Sequence, residues 1–338
     1  MLDQELQLTL SPSPHLRSPI TVNLAMRDVF IALLPITLVS IFLYKWNAVF
    51  LILVCLATAA ITELLFRKVL KKKATLADGS AMVTGLLVAL CFGPGTAWWT
   101  AMLATFIGIG LAKELMGGLG WNRFNPALFG RVAVILIVPI FQYFTAIFAP
   151  LKPYLGGIDL VTQATPLAML KQGTLETGIG QLLTWHHGGA LGETSALALL
   201  IGGAYLIYKK HISWHIPIAI IGTVFVYGAI AEGSITLGLA HVLTGGVLLG
   251  ALFMATDWVT SPITPKGKII FGIAIGILLM SFRVLLGPTE GMAFSILIMN
   301  AFVPWLDRLT KRPKFGEVPV RKAPAVSQGA KPAVGKSN

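Results

Sequence analysis

The chain has 338 residues, of which 55% are hydrophobic and only 12% charged, and its mean hydropathy is +0.79. This composition lies outside the range of water-soluble globular domains and indicates a polytopic membrane protein. The formal net charge of +12 would suit a nucleic-acid-binding surface, but the basic residues lie in short segments between apolar runs, so membrane topology explains them better.

The N-terminal segment, residues 1–27, is predicted to be a cytoplasmic tail. It contains acidic and proline residues and lacks a basic start followed by an apolar block, so we do not expect a cleavable signal peptide. The two cysteines, Cys55 and Cys91, both lie inside apolar runs. They provide neither a cysteine cluster for a metal nor a disulfide framework, so any cofactor must be held in another way.

Ten apolar segments follow this tail, each close to the roughly 20 residues that a helix needs to cross a bilayer core about 30 Å thick. Their approximate bounds are 28–46, 48–66, 79–95, 97–116, 126–148, 194–208, 215–231, 235–255, 269–287 and 291–306. Five segments precede a polar loop at 149–193, and five follow it. Because five is odd, the second set enters the membrane in the opposite orientation, which predicts two inverted repeats, 28–148 and 194–306.

The predicted fold is therefore an all-α integral membrane protein of ten transmembrane helices in two inverted five-helix repeats. With the N-terminus in the cytoplasm, nearly all of the 26 lysine and arginine residues fall on the cytoplasmic side. The exceptions are Lys45, Lys152 and Lys171 outside, and Arg283 in or beside a span. Since cytoplasmic loops are enriched in basic residues, both termini are predicted to lie inside. The tryptophans all fall at span ends, where indole rings prefer the interface.

Sequence similarity between the two halves is faint. MVTGLLVAL at 82–90 is similar to VLTGGVLLGAL at 242–252, and FNPALFGR at 124–131 is similar to MNAFVPWLDR at 299–308. Two unrelated glycine-rich apolar stretches are an alternative explanation. The glycines of the apolar segments, such as Gly108, are expected to allow close helix packing.

The polar loop contains DLVTQATPL, which matches the pattern Asp-x-x-(Ser/Thr)-x-Ala-Thr through Asp159, Thr162, Ala164 and Thr165. Flavin transferases recognise this pattern and move FMN from FAD onto the hydroxyl of the final threonine. An ordinary turn into a short helix, with Thr165 as N-cap and Pro166 at the first helical position, explains the same residues. The two interpretations are compatible, because a helix start also favours a phosphate group.

Four segments, in chain order, resemble one family. They are GGLGWNRFNPALFGR at 117–131, DLVTQATPL at 159–167, GETSALALLIGG at 192–203 and HVLTGGVLLGALFMATDWVTSPITPKG at 241–267. These segments look like the D subunit of Rnf electron-transport complexes and its relative, the B subunit of the sodium-translocating NADH:quinone oxidoreductase. The resemblance extends over residues 15–310.

The resemblance implies ten helices in two inverted repeats and covalent FMN on Thr165, held through a phosphoester bond. Asp159 and Thr162 would shape the recognition turn, and Ala164 would keep it uncrowded. Thr162 and Gln163 stand where family members often have Ser and Gly, but the hydroxyl group is retained.

The resemblance also implies a function. The chain would be a membrane subunit of an ion-translocating ferredoxin:NAD oxidoreductase complex in a bacterial or archaeal cytoplasmic membrane. Its flavin would relay electrons, coupled to sodium or proton transport, and the chain would not be a complete enzyme alone. Its partners would be the other Rnf subunits and the lipid bilayer, with a flavin transferase for maturation. A second, noncovalent flavin is a further expectation, to which the sequence assigns no residues.

Charged side chains within apolar segments are costly, about 2.5–3.5 kcal/mol at the bilayer centre. Glu63 lies one turn from Arg67, and Glu114 is next to a lysine, so pairing or an interfacial position is expected for both carboxylates. Asp257 follows an apolar run and precedes two prolines, which is a broken-helix pattern. Either Asp257 and Thr256 line a pocket for a cofactor or ion, or they occupy an ordinary interfacial position.

The main alternative function is a small-solute channel or transporter without a redox cofactor. Its support is the inverted repeat, the glycine-rich helices and the Asn-Pro-Ala triplet in FNPA at 124–127, which aquaporins also contain. Aquaporins need two copies, and the second half offers only MNAF at 299–302. A non-redox scaffold for partner subunits is a third candidate.

His186 and His187 are adjacent, which is poor geometry for one metal. The basic, proline-rich segment 307–338 is predicted to be a disordered cytoplasmic tail.

Overall fold

The computed structural model of the protein describes residues 21–73, 75–144, 178–184, 188–286 and 291–311. This part of the chain is all-helical and contains no β-strand. Its helices are α1 Val22–Val69, α2 Ser80–Cys91, α3 Trp98–Ile107, α4 Pro126–Phe144, α5 Ile179–Thr184, α6 Ala196–Tyr208, α7 His215–Glu232, α8 Ile235–Leu243, α9 Val247–Met254, α10 Pro265–Leu286 and α11 Met292–Leu309. A π-helical segment, Gly108–Leu115, continues α3, and another, Gly250–Met254, forms most of α9.

Helices occupy each of the ten predicted apolar segments, with ends that differ by a few residues. Four of them, α1, α7, α10 and α11, are long and apolar enough to cross a membrane, and the bent pair α8 and α9 makes a fifth candidate. Large apolar side chains on these helices are exposed, among them Phe42, Ile230 and Leu285. Outward-facing apolar surface of this kind suits lipid, so the chain is a multi-pass membrane protein.

Helix α1 is a hairpin of two helices joined at Lys45. The backbone of Lys45 has φ 49° and ψ −126°, which is not helical and is uncommon for a residue with a side chain. In a straight helix, Met26 and Glu63 would lie about 55 Å apart. Instead, Met26 Cβ is 3.5 Å from the position of a Cβ built on Gly79, and the nearby Thr75 hydroxyl donates to Glu63. The chain therefore reverses between the predicted segments 28–46 and 48–66.

The predicted segment 235–255 is not one straight helix, because the chain bends by 62° between α8 and α9. Gly245 and Gly246 at the bend have φ of 65° and 69°, a left-handed conformation that glycine adopts at little cost. The break leaves the carbonyl groups at the end of α8 and the amide groups at the start of α9 inside the protein.

Glycine allows close approach where helices of the first and second halves meet, and also within each half. A Cβ on Gly202 of α6 would lie 2.1 Å from the carbonyl oxygen of Ala32 on α1. A Cβ on Gly108 would lie 2.4 Å from the carbonyl oxygen of Pro126, at the start of α4. The predicted packing role is confirmed at Gly108, because no side chain fits at this contact, and Gly202 has the same role.

The carboxylates of the first half are paired, as predicted, but with partners on other helices. Lys113 Nζ lies 2.9 Å from Glu63 Oε2, and Arg67 Nε lies 2.6 Å from Glu114 Oε2. Glu63 and Glu114 have fully buried side chains. Because Glu63 and Arg67 lie on the same face of α1, both reach the π-helical segment after α3 rather than each other.

Candidate functional site

A cavity opens between residues of the first half and residues of the second half. Its empty space totals about 810 Å³, part of it open to the outside. Side chains of α1, α2 and α9 form its apolar walls, including Val29, Val83, Leu87 and Phe253. Its polar groups come from the helix ends and loops around it. Such a mixture of apolar walls and a few polar groups is typical of small-molecule sites.

The loop between the π-helical segment and α4 brings Asn122 into the cavity wall. Gly117 and Gly118 have φ of 126° and 100°, and a Cβ on Gly118 would lie 2.6 Å from Arg67 Nη2. Asn122 is 3% exposed, and its amide nitrogen lies 3.4 Å from the carbonyl oxygen of Phe124. Its Oδ1 atom is buried and accepts no hydrogen bond from the described residues. A buried acceptor of this kind calls for a donor from a bound molecule or water.

The structure places Thr256 and Asp257 in the cavity wall, just after the end of α9. Desolvation raises the pKa of the Asp257 carboxyl above its ordinary value. Hydrogen bonds from the Thr260 hydroxyl, at 3.1 Å, and from the Asn122 side chain act against this shift. The Thr256 hydroxyl donates to the carbonyl oxygen of Leu252 at 2.7 Å, which leaves an acceptor lone pair available.

Asn125 and Pro126 begin helix α4 at the edge of the cavity. Asn125 Oδ1 accepts hydrogen bonds from the amides of Ala127 and Leu128 at 3.0 and 3.3 Å, which makes Asn125 the N-cap, with Pro126 at the first helical position. Its amide nitrogen donates to the carbonyl oxygen of Met254 at 3.1 Å. This capping role accounts for the Asn-Pro-Ala triplet without a solute channel.

A buried cation also lines the cavity. Lys113 is 1% exposed and donates to Ser80 Oγ at 2.7 Å as well as to Glu63. Because Glu63 balances its charge, the lysine presents a local dipole rather than an isolated charge to the cavity.

His211 and Asp28 form a second buried polar pair in the cavity region. His211 Nε2 lies 2.7 Å from Asp28 Oδ2, and the Tyr205 hydroxyl donates to Asp28 Oδ1 at 3.2 Å. The indole nitrogen of Trp258 donates to the backbone carbonyl oxygen of His211 at 2.6 Å. His211 Nδ1 is buried and has no hydrogen-bond partner among the described residues. Asp28 and Tyr205 therefore fix the orientation of the imidazole ring in the cavity wall.

Charged side chains also lie at the two helix termini where α8 ends and α9 begins. Arg283 is 4% exposed and donates to the carbonyl oxygens of His241 and Thr244 at 2.7 and 2.9 Å. Glu193 is buried, and its Oε1 lies 3.2 Å from the position of a Cβ on Gly246, next to the start of α9. A cation at a helix C-terminus and an anion at an N-terminus both complement the helix dipole.

Several residues of interest in the sequence lie outside the described residues. These are Asp159, Thr162, Ala164 and Thr165 of the flavin motif, and also His186 and His187. Conversely, sequence patterns did not single out Asn122, Lys113 or His211 for the cavity. Their only local signal is a polar residue at the end of an apolar run, which most membrane helices share.

The fold and this site define a class: a multi-pass helical membrane protein whose buried polar and charged groups gather at a cavity between its halves. The sequence model of the NQR2, RnfD, RnfE family matches residues 9–316, so the chain belongs to that family.

Individual relatives match over nearly their whole length. The D subunit of the Na(+)-translocating ferredoxin:NAD(+) oxidoreductase complex of Acetobacterium woodii is 40% identical over 324 residues, which cover 94% of this chain and 98% of the relative. The proton-translocating counterpart of Clostridium ljungdahlii is 40% identical, covering 91% of this chain and 96% of the relative. The D subunit of an ion-translocating oxidoreductase complex of Stutzerimonas stutzeri is 36% identical, covering 88% and 92%.

Proposed function

We propose that the chain is a membrane subunit of an ion-translocating ferredoxin:NAD oxidoreductase complex, in which it relays electrons between partner subunits. The observation that carries this proposal is the match to the D subunits of such complexes over more than nine tenths of both chains. One of these relatives is named for sodium and the other for protons, at the same 40% identity. The coupling ion is therefore either of the two.

Covalent FMN on Thr165 is the redox group of this proposal. The support is the motif formed by Asp159, Thr162, Ala164 and Thr165, together with family membership. A phosphoester link leaves the flavin ring unmodified, so the tethered flavin supplies one-electron chemistry while the protein positions it. A flavin transferase and the other subunits of the complex are the partners that this requires.

In-gel fluorescence tests the attachment. After denaturing electrophoresis, the chain made with a flavin transferase should fluoresce under ultraviolet light, and Thr165→Val should abolish the band. Thr174→Val is the matched control, because Thr174 lies in the same loop outside the motif. A fluorescent Thr165→Val chain would place the flavin elsewhere, and a dark native chain would exclude covalent flavin.

Ten transmembrane helices in two inverted repeats are the proposed architecture, with both termini inside and the flavin loop outside. Its support is that the third helix of each half is short or interrupted: α2 has only 12 residues, and α8 and α9 are separated by a bend. Short or interrupted helices at corresponding positions of two halves are typical of inverted-repeat membrane proteins.

A cysteine introduced by Thr174→Cys tests the orientation, since both native cysteines are buried. It should react with a membrane-impermeant maleimide added outside cells; reaction only after lysis would reverse the topology.

The cavity is the proposed site of the second, noncovalent flavin. Its apolar walls suit the faces of a flavin ring, and the unpartnered Asn122 Oδ1 suits a ring N–H donor. Thr256, Asp257 and Lys113 would contact the polar edge of the ring. When bound, the flavin supplies one-electron transfer, and these residues bind it and exclude water.

Flavin extraction tests this second site. Acid precipitation leaves covalent FMN on the protein and releases noncovalent flavin, so the two are measured separately in one preparation. We expect Asn122→Ala to lower the released flavin about tenfold, the loss of roughly one hydrogen bond to a buried partner. Asn23→Ala, at an exposed position, should leave it unchanged. Equal release from both variants would remove the cavity as the flavin site.

A further inference from the structure

His211 lies between the cavity described above and a second cavity. The second one has about 570 Å³ of empty space, part of it open to the outside, and is lined by the loop after α6 and the loop before α10. His211 and Trp258 belong to the walls of both cavities. Lys268 in its wall, like Lys209 and Lys210 before it in the chain, lies on the cytoplasmic side in the proposed topology.

The imidazole ring of His211 is held as an acid–base group is held. Its Nε2 is 2.7 Å from Asp28 Oδ2, and Asp28 is in turn fixed by the Tyr205 hydroxyl. A carboxylate on one ring nitrogen sets the orientation of the ring. The other nitrogen, Nδ1, has no partner among the described residues although it is buried.

A purely structural role explains the hydrogen bond between His211 and Asp28 but not the unpartnered Nδ1 atom. A hydrogen bond to Asp28 from α6 or from the following loop would join the helices equally well if its donor were a residue with no second polar atom. An unsatisfied buried polar atom such as Nδ1 destabilises the fold by about 1–3 kcal/mol, and packing of the ring does not offset this. His215 Nδ1 is also buried without a partner among the described residues, but His215 lines neither cavity. In a cavity wall, such a nitrogen indicates a ligand or a transferred proton.

We propose that His211, oriented by Asp28, is the proton donor and acceptor for the redox group bound in the first cavity. This inference rests on the noncovalent flavin proposed above. Asp28 is a positioning residue, because it acts through the imidazole ring. The second cavity is the route by which protons reach His211 from the cytoplasm.

The proton balance of this step is simple. A reduced one-electron carrier of the complex delivers one electron to the flavin. The Nδ1–H bond of the His211 imidazolium breaks, and an N–H bond forms on the flavin ring. The neutral imidazole then takes up a proton that enters from the cytoplasm through the second cavity, and the reverse sequence returns the proton when the electron leaves.

Other charged groups face the same region and define the controls. Lys209 is near Asp28, Lys113 and Asp257 line the first cavity, and Lys268 lines the second. Asp257 is the acidic group among these four, so the Asp257→Asn variant measures how much this carboxyl contributes to the pH dependence.

The test uses the purified complex and the visible absorption of its bound noncovalent flavin. The oxidised flavin band of the native complex should shift with pH, because the group that exchanges protons lies beside the flavin. This shift should disappear in His211→Gln and remain detectable in Asp257→Asn. After rapid mixing with reduced ferredoxin, His211→Gln should also reduce this flavin about 100-fold more slowly, the usual size of general acid–base assistance.

His215→Gln is the matched control. His215 lies four residues further along the chain, stacks on Trp214 and lines neither cavity. It should keep both the spectral shift and the native rate. Asp28→Asn should slow reduction less than His211→Gln does, since the imidazole remains.

Each failure has a different meaning. If the native complex releases no noncovalent flavin, the proposed second flavin is wrong and this inference falls with it. If flavin is present but His211→Gln titrates and reduces as the native complex does, only the role of His211 is wrong. If His211→Gln does not assemble, the native complex alone decides: a flavin band constant from pH 5 to 8 overturns the proposal.

Discussion

Replacing Glu63 by glutamine tests the buried charge network beside the cavity. Glu63 Oε2 lies 2.9 Å from Lys113 Nζ, and the two side chains are 0% and 1% exposed. At an effective dielectric constant of about 20, two unit charges at this distance attract by about 6 kcal/mol. Lys113 retains the Ser80 hydroxyl at 2.7 Å in the variant, so part of its solvation remains. We expect Glu63→Gln to lower the free energy of unfolding by about 3–5 kcal/mol.

The measurement is unfolding in mixed micelles with increasing sodium dodecyl sulfate, followed by tryptophan fluorescence. The double variant Glu63→Gln, Lys113→Met should recover part of the loss, because no unpaired charge remains buried. Glu232→Gln is the matched control: its side chain is 36% exposed and lies 3.4 Å from His241 Nε2, so its loss should stay below about 1 kcal/mol.

Additive losses would refute the coupling of this pair. If the double variant loses as much as the two single variants together, Glu63 and Lys113 do not stabilise each other. A loss below about 1 kcal/mol for Glu63→Gln would show that water reaches this pair despite its burial.

Three further changes probe the fold around the cavity. Gly130→Ala places a Cβ 2.0 Å from a backbone carbonyl oxygen of α3, so it should lower stability by about 1–3 kcal/mol, whereas Gly222→Ala, with open space around it, should not. Asn125→Ala removes the N-cap of α4 and should cost about 1–2 kcal/mol in the same detergent titration; an unchanged midpoint would contradict the capping role. Asp257→Asn should gain stability over the native chain as pH rises. Burial raises the pKa of Asp257 above 3.8, so the protonated carboxyl is favoured in the folded state. Its contribution to the free energy of unfolding is fully present below pH 3.8 and is lost as pH rises through the folded-state pKa. Parallel stability curves from pH 4 to 8 would contradict this.

Pairing of the membrane charges was predictable, but the identity of the partners was not. The sequence places Arg67 one turn from Glu63 and Lys113 next to Glu114, and short-range rules favour those neighbours. The folded chain exchanges the partners, because α1 and the π-helical segment after α3 lie side by side and each carboxylate faces the cation of the other. Contacts of this kind depend on how two helices are rotated about their axes, which a linear pattern does not contain.

The break in the second half was only partly predictable. Asp257 and the prolines after it indicated an interrupted helix, but the chain bends earlier, at Gly245 and Gly246. Adjacent glycines in an apolar run are compatible with packing or with a bend. Glu193 and Arg283, distant in the sequence, stabilise the two buried helix ends and so favour the bend.

The sequence by itself determined the helical class, the position of the apolar segments and the reversal near Lys45, because bilayer thickness and hydrophobic run length act locally along the chain. It also determined the family, through motifs distributed over most of its length. Only the tertiary structure decided that Asn122, Asp257 and His211 meet around one cavity. Their convergence depends on helix ends from both halves coming together, and the sequence around each residue does not determine how far apart the three lie in space.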